Sequence, residues 1–267
     1  MVVEGLRVKL ASTGSGPPLV LLHGLMGSQA YWRPFARRLA AGHTVVLVDL
    51  PGHGGSDPLR PFDLALCAHL IAEACEAVGV TRPIVAGHSL GSAVAVHWAA
   101  QRPVAALMPV SPIGGAPLEV QVPRWEIPVG RALLARLPLW EWVAARPGIV
   151  RSLVFESFVA MSRLDDLDPD MARQMLRGAM GAAGVVEEVI APLDGLDLRS
   201  LARRVAAPAL VCWGERDRLG ASNGPPLAEA LGAQTVAIPD VGHMPMLEAQ
   251  YALTAAFRVI SRLSLPA

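Results

Sequence analysis

The chain has 267 residues, 52% of them hydrophobic, enough for one large domain or a domain carrying an inserted piece. Its 23 basic and 23 acidic residues cancel, which leaves no basic surplus for nucleic acid and no charged tail. The three cysteines, Cys67, Cys75 and Cys212, make no disulfide framework, and no Cys/His cluster has zinc-site spacing, so neither metal nor cofactor is expected.

The N-terminal MVVEGLRVKLASTG lacks a charged region followed by an apolar run, so no signal peptide is expected. No uncharged stretch reaches the length of a membrane span, and a cytoplasmic location is the expectation. Residues 3 to 10 alternate, with Leu6, Val8 and Leu10 against Gly5, Arg7 and Lys9, which predicts a half-exposed antiparallel edge strand. Short continuous apolar runs follow at 17–24, 43–50, 83–88, 104–110, 208–214 and 234–240. Such runs read as strands buried on both faces, as in a parallel sheet.

Helical spacing separates them, at 29–41 (Trp32, Phe35, Ala36, Leu39), 62–79 (Leu66, Leu70, Ile71, Ala74, Val78), 90–101 and 245–263. Cys67 and Cys75 share a face of the second of these as small core residues. Strand and helix alternate, which predicts an α/β fold with a doubly wound, mostly parallel sheet. From 112 to 205 the alternation breaks into helical segments punctuated by prolines. The predicted organisation is a core of residues 1–111 and 206–267 with a helical cap, 112–205, inserted between two core strands.

The pentapeptide Gly87-His88-Ser89-Leu90-Gly91 follows an apolar strand and opens a helix, the context that a G-x-S-x-G motif needs. A sharp strand-to-helix turn leaves room only for small residues two positions to either side of its centre. The plain alternative is a glycine-rich turn with a capping serine. A base is sought later in the chain, on a loop, and His243 in VGHMP follows the last strand run. Asp217 in WGERD lies on the loop after the preceding run, with Glu215 and Asp240 as competitors. The order Ser89, Asp217, His243 is that of an α/β-hydrolase triad. In those roles Ser89 is the nucleophile, His243 the general base and then acid, and Asp217 the group that orients the imidazole. The oxyanion donors expected are the backbone N–H groups of Leu90 and of Leu25, with Met26 as runner-up for the second. His53, in a glycine-rich turn, reads as structural, and His23 as shaping its own loop.

These motifs resemble those of the α/β-hydrolase superfamily. The resemblance is carried by HGLMG at 23–27, DLPGHGGSD at 49–57, GHSLG at 87–91, WGERD at 213–217 and GHMPMLE at 242–248. It spans nearly the whole chain, and the stretch 112–205 falls where that family inserts its cap. The resemblance implies a hydrolase. Its epoxide hydrolases and haloalkane dehalogenases carry aspartate where this chain has Ser89, which points away from them.

The expected partner is a small or medium hydrophobic carboxylic ester, cleaved by a monomer or homodimer without nucleic acid. Carbon–carbon bond, lactone or thioester hydrolysis on the same triad is the alternative, and a hydrolase-like ligand sensor with little turnover is the alternative from another class. Met26, His88, Trp125, Trp140 and Met244 are the candidate pocket residues, with Met246 beside them.

Overall fold

The computed structural model describes residues 1–116, 161, 168–182 and 184–264. The uninterrupted apolar runs form the strands β4 (Pro18–Leu22), β5 (Thr44–Val48), β6 (Ile84–His88), β7 (Ala106–Val110) and β8 (Leu210–Gly214). With β3 (Leu10–Thr13) and β9 (Gln234–Ile238) they make a seven-stranded sheet in the order β3-β5-β4-β6-β7-β8-β9. All neighbours are parallel except β3, which runs antiparallel to β5.

Side chains alternate across this sheet with a period of two. Val20, Leu22, Val46 and Val48 enter one core layer, and Leu19, Leu21, Val45 and Leu47 the other. Helices α2 (Leu64–Glu76) and α3 (Leu90–Gln101) cover the first face through residues such as Leu70, Ile71, Val94 and Trp98. Helix α1 (Arg33–Leu39) covers the second through Phe35 and Leu39, which pack with Phe257 and Ile260 from the C-terminal end of the chain. Cys67, Cys75 and Cys212 are free and buried, and burial pushes the thiols of Cys75 and Cys212 up to about 12.

Three expectations are corrected in detail. The N-terminal alternation is not one strand. Glu4 (φ 49°) and Gly5 (φ 81°) turn the chain, giving a small hairpin of β1 (Val2–Val3) and β2 (Leu6–Arg7), and the edge strand begins only at Leu10. Strand β9 is largely exposed rather than buried on both faces, because it is the outermost strand. The last predicted helix is broken at Ala249 into two, the single turn Pro245–Glu248 and the longer Gln250–Leu263.

Between β7 and β8 the described residues form α4 (Pro169–Ala182), α5 (Val186–Ile190), α6 (Arg199–Ala202) and a 3-10 turn, and no strand. Helix α4 lies against the segment that follows β4. A Cβ on Gly178 would stand 3.5 Å from the carbonyl oxygens of both Met26 and Gly27. Met171 and Met175 join the core layer that holds Tyr31 and Trp32. Strand order changes direction between β4 and β6, since the chain leaves β4 for β5 on one side and returns to β6 on the other. In open α/β sheets the crevice beyond such a switch point receives ligands. No helix of the described residues is long and apolar enough to cross a membrane.

Candidate active site

Ser89 stands between β6 and α3 with φ 51° and ψ −116°, a conformation that costs a non-glycine residue energy and persists only where its surroundings enforce it. Its N–H donates to the Val110 carbonyl at 3.0 Å, and its carbonyl accepts from the N–H of Ser92 at 2.8 Å and from the Ser92 hydroxyl at 2.5 Å. Both flanking glycines are sterically required. A Cβ on Gly87 would lie 2.0 Å from the Gly91 carbonyl oxygen, and one on Gly91 2.5 Å from that of His23. The first turn of α3 is thereby pressed onto the end of β4.

Two loops at the far side of the sheet bring an imidazole and a carboxylate together. His243 Nδ1 lies 2.9 Å from Asp217 Oδ1, with Asp217 1% and His243 9% exposed. The Nδ1–H donates to the carboxylate, which leaves the lone pair on Nε2. Burial opposes the charge of Asp217. The hydrogen bond and charge of His243, the Gly220 N–H and the Ser111 hydroxyl outweigh it and hold the carboxyl below its usual range. The competitors face away. Asp240 pairs with Arg216 at 2.6 Å on the surface, and Glu215 is exposed.

The loop of His243 is clamped from behind. Glu248 accepts the N–H of Gly242 on Oε2 at 3.0 Å and that of Met244 on Oε1 at 2.9 Å. Glu248 is the last residue of the single turn Pro245–Glu248, next to the break at Ala249. The only mark of this role in the sequence is a carboxylate four to six residues after the GHM it holds.

The loop after β4 is built on two neutral imidazoles and a carboxylate. His23 donates from Nδ1 to the Gly24 carbonyl (2.7 Å) and accepts the Leu50 N–H on Nε2 (3.0 Å). His53 donates from Nδ1 to the Pro51 carbonyl (3.1 Å) and accepts the Met26 N–H on Nε2 (3.2 Å). Burial, with His53 nearby, holds His23 down to about 3, and burial likewise lowers His53. Asp49 joins this loop to the next by accepting from the Gln29 N–H (2.7 Å), the Gln29 amide (3.0 Å) and the Gly55 N–H (3.0 Å). The Met26 N–H is therefore spent on His53 and is no longer free for an oxyanion. Leu25 and Met26 are half-buried on the same loop.

The remaining candidates separate. His88 is buried at 2% exposure, with its ring against that of His243. Met244 and Met246 are buried in the core layer with Val241 and Phe257. Trp125 and Trp140 lie outside the described residues. The loops bearing Gly24, Ser89 and His243 converge beyond the switch point: a Cβ on Gly24 would approach Ser89 Cβ to 3.1 Å and His88 Nδ1 to 2.8 Å.

A strained serine between required glycines, a buried Asp–His pair and a backbone loop facing the elbow define a hydrolase of α/β architecture. Residues 19–257 match the model of the alpha/beta hydrolase family, and the chain belongs to that family. It is similar to a pimeloyl-(acyl-carrier protein) methyl ester esterase of Xanthomonas oryzae pv. oryzae, 33% identical over 243 residues that cover 88% of this chain and 90% of that one. It is also similar to the dihydrolipoyllysine-residue acetyltransferase component of an acetoin cleaving system of Cupriavidus necator. There the identity is 30% over 254 residues, 92% of this chain and 64% of that protein, so the chain spans less than two thirds of that relative's length. Among solved structures, a thermophilic esterase from Thermogutta terrifontis superposes with a TM-score of 0.73 at 21% identity, covering 97% of this chain and 94% of that one. At that identity the likeness carries the fold alone.

Proposed function

We propose that the protein is a serine esterase that cleaves a small or medium hydrophobic carboxylic ester through an acyl-enzyme on Ser89. The observation that carries the reading is the 2.9 Å bond from His243 to the buried Asp217. It commits Nδ1 to the carboxylate and leaves Nε2 as the base, and the fold holds Ser89 in a strained elbow.

In this reading Ser89 Oγ adds to the ester carbonyl as its proton passes to His243 Nε2. The tetrahedral oxyanion accepts the N–H groups of Leu90 and Leu25. The spending of the Met26 N–H on His53 favours Leu25 for the second of these. Collapse returns the proton from His243 to the departing alkoxide, and water then repeats the sequence on the acyl-enzyme to release the acid and restore Ser89.

The inserted segment 112–205 acts as a cap. Support comes from α4, whose Gly178 rests on the loop after β4. The ester chemistry draws on the relatives whose names make them methyl ester esterases. The free buried cysteines are in keeping with a cytoplasmic location.

A panel of p-nitrophenyl esters graded by acyl length tests the reading. A burst of p-nitrophenol at enzyme concentration, absent in Ser89→Ala, is expected, with the highest kcat/KM on apolar chains. No turnover of any ester by folded protein contradicts it.

A further inference from the structure

His88 differs from the other buried histidines of the site. His23 and His53 have both ring nitrogens in hydrogen bonds, whereas His88 Nδ1 has no hydrogen-bond partner among the described residues. Its Nε2–H donates to the carbonyl oxygen of His243 at 2.7 Å, across 155 positions of sequence. The two rings lie 4.7 Å apart at 57°. On its other side, the Nδ1 edge fills the space above Gly24, where a Cβ would come within 2.8 Å. One ring thus touches the elbow that carries it, the loop of His243 and the loop after β4.

We infer that His88 is a positioning residue: its Nε2–H holds the His243 backbone at a set distance from Ser89, and its ring spaces both from Gly24. The inference rests on the reading of Ser89 and His243 as nucleophile and base. A neutral donor is what the place requires. Burial, then the nearness of His243, lowers His88 to about 3, so it stays uncharged when His243 takes a proton. An arginine or lysine could make the same bond, but it would set a second cation beside the imidazolium. A phenylalanine would fill the volume without the donor.

His88→Gln and His88→Met test this in the full-length protein. The two side chains have similar length and flexibility and differ chiefly in the amide donor. In His88→Met, kcat for a p-nitrophenyl ester is expected to fall by about 10- to 100-fold with KM within about twofold, as for a misplaced catalytic group. Fluorophosphonate labelling of Ser89 should slow by a similar factor. His88→Gln should recover kcat to within about fivefold of the wild type, the scale of one altered hydrogen bond. Equal kcat in His88→Met and wild type, or His88→Gln as slow as His88→Met, overturns the inference. If His88→Met does not fold, His88→Gln alone decides: kcat within about fivefold supports the role, and a loss of about 100-fold or more overturns it. Ser89→Ala, run alongside, separates the two levels. A Ser89→Ala protein with wild-type turnover removes the nucleophile reading and this inference with it. An inactive Ser89→Ala beside a fully active His88→Met removes the inference alone.

Discussion

Two loops of this molecule each carry a buried histidine, and they differ in what the second nitrogen does. On the loop after β4, His23 spends both nitrogens on backbone groups, and His53 does the same one loop away. On the loop after β9, His243 bonds through Nδ1 to Asp217 and has no second ring hydrogen bond among the described residues, while Glu248 holds the backbone on either side of it. The first arrangement fixes a loop and contributes no titrating group near neutrality. The second fixes a loop and leaves one nitrogen for proton transfer. Burial and backbone hydrogen bonding are common to these loops; what sets His243 apart is that its Nδ1 is bonded to a carboxylate.

Alanine at each histidine separates the two arrangements. His243→Ala should lower kcat/KM for an activated ester by about 10⁴-fold or more while moving the urea midpoint little. His23→Ala should do the reverse, destabilising the protein by about 2–3 kcal/mol because the buried Leu50 N–H loses its acceptor. Equal loss of stability in both variants would erase the distinction.

Asp217→Asn comes next. It keeps the shape but favours the wrong tautomer of His243, and a fall in kcat of about 10³- to 10⁴-fold is expected from steady-state rates, with KM nearly unchanged. Glu248→Ala frees the Gly242 and Met244 N–H groups and loosens the loop. A loss of about 5- to 30-fold in kcat is expected, far smaller than at Asp217 because these two bonds of Glu248 act through the backbone.

Stability itself should depend on pH. The unfolded chain protonates His23 and His88 below about pH 6.5, whereas the folded chain keeps both neutral down to about 3. The unfolded state therefore binds more protons in that window, and stability falls as pH drops from 6.5 toward 3. Urea titrations at pH 7 and pH 5 should differ by on the order of 1–2 kcal/mol per ring. His23→Gln should reduce the difference, and an unchanged slope would contradict the assignment.

The sheet was legible because strands buried on both faces are written as unbroken apolar runs, from PLVLL to LVCWG. The elbow was legible for a steric reason that is local at Gly87, where a side chain would collide with the Gly91 backbone; the second reason, that a side chain on Gly91 would meet the end of β4, is a tertiary one. The turn at Glu4–Gly5 hid inside an alternating pattern, since a hairpin of two-residue strands alternates much as one strand does. The exposure of β9 depends on its place at the sheet edge, which no local pattern records. The Glu248 clamp, the bond from the Met26 N–H to His53 and the contact of His88 with His243 join positions whose nearness only the folded chain creates. Side chains that hold backbone leave a faint mark in sequence, because many residue types could satisfy the same N–H or carbonyl.

In the proposed mechanism Ser89 is the group that takes the acyl chain. Incubation of the folded protein with a fluorophosphonate, followed by intact-mass and peptide mapping, tests it most directly. The account predicts one adduct per chain, located on Ser89, lost in Ser89→Ala and much slowed in His243→Ala. An unlabelled folded protein that still turns over esters, or an adduct on a residue other than Ser89, would contradict it.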